Sequence, residues 1–197
     1  MHEFERGVTK YDIMPIPPVE AHSERFEAGP VSIWVEYRLL DDAIAAAHTV
    51  TEGYDGEITT IQDRGVSLHV FGKPSGRAGD EVEFLRFDCF DEDPHYHYVS
   101  YERTTNEMVH LDPAAQGDPL EWALDRIRTR LPQMLARAGD RELAAVVDVA
   151  AVEAILPKVA EAAYRARFQH DDEAIHAGAL ARAKPVAAAS TAGGAAS

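Results

Sequence analysis

The stretch from Val82 to Leu111 reads VEFLRFDCFDEDPHYHYVSYERTTNEMVHL, and it decides the predicted fold. It contains three runs rich in β-branched and aromatic residues, at Val82 to Phe90, His95 to Glu102 and Glu107 to Leu111. The connections between these runs are short, which favours antiparallel pairing because parallel strands need long crossovers. We therefore predict that this stretch forms the centre of an antiparallel sheet.

Further strand signals lie upstream of this stretch. From Val31 to Leu39 apolar residues alternate with polar ones, and this period of two predicts a half-buried strand. Ile58 to Gln62 and Val66 to Phe71 flank the turn-like sequence Asp63-Arg64-Gly65, which predicts a hairpin. The sheet is therefore expected to have about six strands.

Three helical segments are predicted around these strands. Each begins at an aspartate, Asp41 or Asp42 in the first case, that can cap the first turn through its side chain. Large apolar residues recur at helical spacing in the second segment, so one face of it should pack on the sheet. Pro157 should interrupt or restart the third segment, because proline suits the first turn of a helix better than its interior. The segments are Ala43 to about Val50, Pro119 to Gly139, and Asp140 to about Phe168.

The order of these elements predicts an α+β fold. It is a curved antiparallel sheet with one short helix after the first strand and C-terminal helices packed on one face. Residues 1–30 contain four prolines among charged residues and are expected to form an extended arm that wraps a surface. Residues 31–177 should form a single domain, and residues 178–197, rich in Ala, Gly and Ser, a disordered tail.

Composition narrows the choice of partners. The chain has 197 residues, a formal net charge of -15 and one cysteine. Such negative charge repels nucleic-acid phosphates and anionic membrane surfaces, so we expect a small molecule or a protein as partner, no nucleic acid and no membrane. A homo-oligomer is compatible with this composition. One cysteine excludes an intramolecular disulfide, and no signal peptide or transmembrane run is evident, which predicts a cytoplasmic protein.

Titratable side chains concentrate on one face of the central strands. Because side chains alternate along a strand, His95 and His97 point the same way. A tight turn at Thr104-Thr105 would pair His97 with Asp112 and would put His110 on the histidine face. The face assignment survives an equal slip on both sides of the turn, but it fails with a bulge.

Register with the preceding strand is open, because the acidic turn can close around Phe90 and His95 or shift by one residue. In the first case Asp88 lies opposite His97, and Arg86 joins the same face. A sheet face that must be covered cannot hold so many polar groups without partners. The histidine face therefore predicts a pocket.

Two imidazoles and a carboxylate on one surface can hold a divalent transition metal and leave a position open for water or substrate. Without a metal, a carboxylate beside a histidine can orient the ring for acid or base chemistry near neutral pH. An arginine can bind a substrate carboxylate through two parallel hydrogen bonds. The candidate catalytic residues are His97, Asp88, Arg86 and His110, the candidate substrate contacts are Arg86 and Tyr101, and the candidate metal ligands are His95, His97, His110 and Asp112.

Two resemblances follow from these residues. His95-Tyr96-His97 with Glu102 resembles the first metal-binding motif of cupins, but the chain turns helical after residue 118 where a cupin continues with strands, so we reject a full cupin. Arg86-Phe87-Asp88 followed by Pro94-His95-Tyr96-His97 resembles a family of uncharacterised small bacterial proteins with an Arg-aromatic-Asp strand before a Pro-His-x-His strand. Some relatives of that pattern occur in toxin and antitoxin pairs. The resemblance implies no reaction, substrate or metal.

Three functions remain as hypotheses. The first is a small cytoplasmic enzyme whose His/Asp/Arg pocket acts on a small polar or carboxylated metabolite by acid-base or metal-assisted chemistry. The second is a non-catalytic accessory or interaction subunit in which the histidines are structural. The third is a toxin-like nuclease, which the acidic charge disfavours because such an enzyme normally presents a basic surface to phosphates.

Overall fold

The computed structural model describes residues 7–53, 61–74 and 79–183. Within these ranges the fold is α+β, as predicted, with a curved antiparallel sheet of seven strands in the order β1-β7-β6-β5-β4-β3-β2. The strands are β1 Val8–Tyr11, β2 Ser23–Ala28, β3 Val31–Leu40, β4 Asp63–Gly72, β5 Val82–Phe90, β6 His95–Ser100 and β7 Thr105–His110. The helices are α1 Asp42–Glu52, α2 Pro113–Gln116, α3 Pro119–Ala138, α4 Arg141–Val146, α5 Val149–Phe168 and α6 Asp172–Ala183.

One face of the sheet carries the apolar core. Alternate residues of β3, β4 and β5 point to this face, where they pack beneath α3 and α5. Burial of such side chains is the main favourable contribution to folding. Fully buried members include Ile33, Val35, Leu68, Val70, Leu85 and Phe87 from the sheet and Leu120, Ile127, Leu131 and Val159 from the helices.

Aspartate caps set the helix starts. The side chain of Asp41 accepts a hydrogen bond from the Ile44 amide at 2.9 Å, and Gly53 ends α1 in a left-handed conformation, as predicted. The expectation for Pro157 is wrong, since it lies inside α5. The new helix, α5, begins earlier, after Asp148, whose side chain accepts a hydrogen bond from the Ala151 amide at 2.9 Å. None of the helices in the described ranges is long and apolar enough to cross a membrane.

The predicted hairpin around Asp63-Arg64-Gly65 is also wrong in the part that the structure describes, because these residues lie within β4 and pair with β3. Residues 58–60 of that prediction lie outside the described residues. Glycine is needed at position 65 because β4 and β5 approach closely there, and not because the chain turns. A Cβ atom there would lie 2.5 Å from the carbonyl oxygen of Cys89 on β5, and its φ is 153°.

The turn between β6 and β7 is longer than predicted. It comprises residues 101–104, and Thr104 has a φ of 49°. As a result His97 pairs with Met108 and His95 with His110, which corrects the predicted pairing of His97 with Asp112. The pairing shifts by four residues, an even number, so the histidine face keeps its members except Asp112.

The register between β5 and β6 also differs from both alternatives. Asp88 lies opposite His95 and Arg86 opposite His97, two residues from the pairing that a turn closed around Phe90 would give. Since a shift of two residues preserves which side chains share a face, Arg86 and Asp88 do lie on the histidine face.

The segment expected to be an arm contributes both edge strands of the sheet. β1 pairs with β7, and β2 pairs with β3. Between them residues 12–19, which we name the N-terminal strap, cross the histidine face and are anchored there by hydrogen bonds. At the other end of the chain α6 continues to Ala183, beyond the expected start of the tail, and residues 184–197 lie outside the described residues.

Candidate functional site

The sheet face opposite the apolar core buries a set of charged and polar side chains. Burying such groups costs several kcal/mol unless each has a partner, so their pairing determines whether this face is stable. The set comprises Glu36, Arg38, Ser67, His69, Glu83, Arg86, Asp88, His95, His97 and Asn106, each at most 9% exposed. We call these ten residues the polar face.

Asp88, His95 and His97 form the part of the polar face best suited to chemistry. Oδ2 of Asp88 lies 3.4 Å from Nε2 of His95 and 3.3 Å from Nε2 of His97. One ligand atom from each residue lies within 4.8 Å of the others, which is the spacing of a three-residue metal site. Ser67 donates a hydrogen bond to the second oxygen of Asp88 and holds this carboxylate in place.

A main-chain carbonyl orients the His95 ring, and a side-chain amide oxygen orients the His97 ring. Nδ1 of His95 lies 2.6 Å from the carbonyl oxygen of Asp93 and must carry a proton, because that oxygen can only accept. Nδ1 of His97 lies 3.0 Å from Oδ1 of Asn106, and Nδ2 of Asn106 donates to the Ile13 carbonyl at 2.6 Å. The network thus assigns the proton of neutral His97 to Nδ1. In both rings Nε2 is the nitrogen available to a metal or to a further proton.

The titration of the three groups reflects this geometry. Burial alone would raise the pKa of Asp88, but the neighbouring imidazoles of His95 and His97 and the charge of Arg86 hold it well below its usual range. Burial would lower the pKa of His95, yet Asp88 raises it overall. For His97 burial and the neighbouring His95 prevail, so its pKa is lowered. The pair therefore offers one imidazole that favours the charged form and one that favours the neutral form.

Arg86 is occupied by the protein itself. Its guanidinium makes two parallel hydrogen bonds to Glu83, at 2.8 and 2.7 Å, and donates from Nη1 to the Ile16 carbonyl at 2.8 Å. Glu83 also accepts from Nδ1 of His69 at 2.6 Å. A bulge in β5 places Glu83 on this face, because the register shifts by one residue between the pairs of Val70 and Phe71. Arg86 therefore has no free pair of N–H donors for the predicted contact with a substrate.

Arg38 retains an unused donor. Nη2 donates to the Ile16 carbonyl at 2.9 Å, and Nε lies 3.6 Å from Oε2 of Glu36. Among the described residues Nη1 of Arg38 has no hydrogen-bond partner, although it is buried and lies 3.9 Å from Oδ1 of Asp88. This nitrogen is the guanidinium donor best placed to reach an oxygen atom bound near Asp88.

The N-terminal strap covers the polar face through its backbone. Carbonyl oxygens of Ile13 and Ile16 accept from the side chains described above, and that of Met14 lies 2.7 Å from Nε2 of His48 on α1. The Val19 amide donates to Glu36 at 2.9 Å. Three of the residues from 15 to 18 are prolines, which have no N–H group to leave unpaired against this surface.

The other predicted site residues lie at the edge of this arrangement. His110 is opposite His95, with ring centroids 6.2 Å apart, but its side chain is 48% exposed and its Nδ1 contacts Asp93 at 2.7 Å. Asp112 is exposed and caps α2 by accepting from the Ala114 amide at 3.0 Å, so its prediction as a metal ligand is corrected. Tyr101 belongs to the turn after β6, and burial raises its pKa.

Six members of the polar face were not predicted from the sequence. Glu36 and Arg38 occupy alternate positions of β3, so their common face was visible, but nothing local showed that β3 and β4 extend the histidine face. Asn106 lies directly after the predicted two-residue turn. Because the actual turn is longer, the place of Asn106 on the polar face was not predicted. The residues missed are Glu36, Arg38, Ser67, His69, Glu83 and Asn106.

Comparison with known proteins identifies a family without giving an activity. The model of a domain of unknown function, DUF7700, matches residues 25–163, and the chain belongs to this family. No curated protein and no solved structure matches the chain. The membership agrees with the predicted resemblance to uncharacterised proteins, while the particular Arg-aromatic-Asp and Pro-His-x-His pattern stays a prediction.

Proposed function

Because the DUF7700 family carries no assigned activity, we propose from the geometry that this protein is a metal-assisted enzyme. Asp88, His95 and His97 would bind a divalent transition metal and act on a small polar or carboxylated metabolite. The observation that carries the proposal is the orientation of the two rings, since each Nδ1 donates to a carbonyl oxygen and both Nε2 atoms face one carboxylate oxygen. Metal-binding histidines are typically held by such an outer hydrogen bond.

The ligand set indicates the class of metal and the role of its neighbours. Two imidazole nitrogens and one carboxylate oxygen suit zinc and similar divalent ions and leave one position open. A metal in this position would act as a Lewis acid on a substrate oxygen. Arg38 would hold a second oxygen of the substrate through its unused Nη1 and so takes the role that the sequence assigned to Arg86. The proposed location is the cytoplasm.

Metal content tests the proposal directly. Protein purified without an affinity tag should contain or take up one equivalent of Zn²⁺ or Co²⁺, measured by elemental analysis and titration calorimetry. His97→Ala should lose this binding, whereas the matched control His110→Ala should keep it, because His110 contacts Asp93 and is half exposed. The metal-assisted proposal is defeated if the wild-type protein binds neither ion, or if His110→Ala loses the metal as completely as His97→Ala.

The accessory-subunit hypothesis is favoured by a separate observation, the closure of the polar face. Asp88 is 2% exposed, and two clefts in the described ranges lie elsewhere, one beside Tyr101 and one beside Trp34. If the histidines are structural, His97→Ala should lower stability only and leave partner binding intact. A measurable turnover that disappears in a folded His97→Ala protein would exclude this alternative.

A further inference from the structure

Asn106 connects the N-terminal strap to the candidate metal site. It is 3% exposed, its Nδ2 donates to the Ile13 carbonyl, and its Oδ1 faces Nδ1 of His97. Met14, Ile16 and Val19 are held by other side chains. The Ile13 contact is therefore a point at which the strap reaches a candidate ligand through two successive hydrogen bonds of one intervening side chain.

The hydrogen bond to the strap sets the orientation of the Asn106 side-chain amide. The Ile13 carbonyl can only accept, so it requires the NH₂ group of Asn106 and turns the oxygen toward His97. The oxygen in turn requires the proton of neutral His97 on Nδ1, and Nε2 then presents a lone pair to Asp88. Without the strap the amide can rotate and donate to Nδ1. The ring proton would then move to Nε2 and hydrogen-bond to Asp88, which would block the metal position.

We infer that Asn106 is a positioning residue that couples docking of the N-terminal strap to metal binding by Asp88, His95 and His97. The inference rests on the proposed metal site. Coupling of this kind is reciprocal, so a docked strap strengthens metal binding and a bound metal holds the strap in place by the same factor. The strap is thus part of the binding site although it supplies no ligand.

Asn106 is the only asparagine in the sequence, which makes it a selective probe. Labelling with ¹⁵N-asparagine gives a single side-chain amide pair in the NMR spectrum, and hydrogen exchange can be followed at the strap amides of Ile13, Met14, Ile16 and Val19. Saturating Zn²⁺ should slow exchange at these amides and at the Asn106 side chain. Zn²⁺ affinity is measured by calorimetry on the same samples.

Two variants separate positioning from structure. Asn106→Asp keeps an acceptor for His97 but cannot donate to Ile13, so Zn²⁺ should bind within about threefold of wild type while no longer slowing strap exchange. Asn106→Leu loses both contacts, and its Zn²⁺ affinity should fall about 10–100-fold. Circular dichroism checks that both are folded, and if Asn106→Leu fails to fold, wild type and Asn106→Asp suffice.

The outcomes distinguish this inference from the proposed function. If wild-type protein binds Zn²⁺ but the exchange of the strap amides does not change, the coupling is wrong and the metal site stands. The coupling is also wrong if Asn106→Asp still shows wild-type slowing of strap exchange on Zn²⁺ binding. If the wild-type protein binds neither Zn²⁺ nor Co²⁺, both the metal site and the coupling are overturned.

Discussion

The two faces of the sheet are equally buried but are held together by different forces. On the helix-covered face, side chains such as Phe87 and Leu85 pack without polar atoms. On the polar face, their immediate neighbours Arg86 and Asp88 are just as inaccessible. Each apolar side chain that is removed from water stabilises the fold. On the polar face, the ion pairs and hydrogen bonds only offset the free energy that desolvating their charged groups costs. Burial alone therefore does not reveal which residues serve stability.

The largest expected effect comes from breaking one pair on the polar face. Glu83→Gln leaves the Arg86 guanidinium buried without its carboxylate and should lower the free energy of unfolding by about 3–5 kcal/mol. The double variant Glu83→Met with Arg86→Met should lose less than Glu83→Gln, because it removes both charges. Urea denaturation measures both, with the exposed Glu142→Gln as control. A double variant less stable than the single would show that the ion pair is a net source of stability.

Lowering the pH should destabilise the polar face as well, by somewhat less than the loss of the Glu83 carboxylate. Despite burial, Arg86 and His69 lower the pKa of Glu83 from 4.5 to about 2. Because the folded-state pKa is the lower one, this stabilisation is present above pH 4.5 and is lost as the pH falls toward 2. It amounts to about 3 kcal/mol. Denaturation curves at successive pH values should show the loss, and Glu83→Gln should make the decline shallower. An equally steep decline in that variant would contradict the assignment to Glu83.

The smallest effect is expected from a conservative change on the apolar face. Ile33→Val removes one buried methylene and should cost about 1 kcal/mol, because the small cavity is only partly refilled. The cost should be the same at pH 7 and pH 4, and Zn²⁺ binding should not change. A cost that varies with pH would mean that the two faces are coupled through the sheet.

Much of the fold could be predicted because its signals are local. Alternation along β3, β5 and β6 and the aspartate that caps α3 depend on neighbouring residues only. The common face of Arg86, Asp88, His95 and His97 followed from strand parity, which survives a shift of two residues.

The rest of the site depends on contacts that sequence patterns do not encode. Glu83 reaches the polar face only because of the bulge in β5, and parity places it on the wrong side. Asp112 was misassigned because the turn after β6 has four residues instead of two and lies earlier in the chain, which moves the partner of His97 by four residues, from Asp112 to Met108. Arg38 and Arg86 meet through the carbonyl of Ile16, at separations of 22 and 70 residues.

The strap also has a consequence for the order of events during synthesis. A ribosome produces residues 12–19 well before their anchors on β5 and β7, which are completed only after about ninety more residues, since Asn106 lies 93 positions from Ile13. Contacts of such separation form late because their loop entropy must be overcome first. The strap is thus made before the strands that anchor it, and it docks after them. Until it docks, the charged side chains of the polar face are open to solvent.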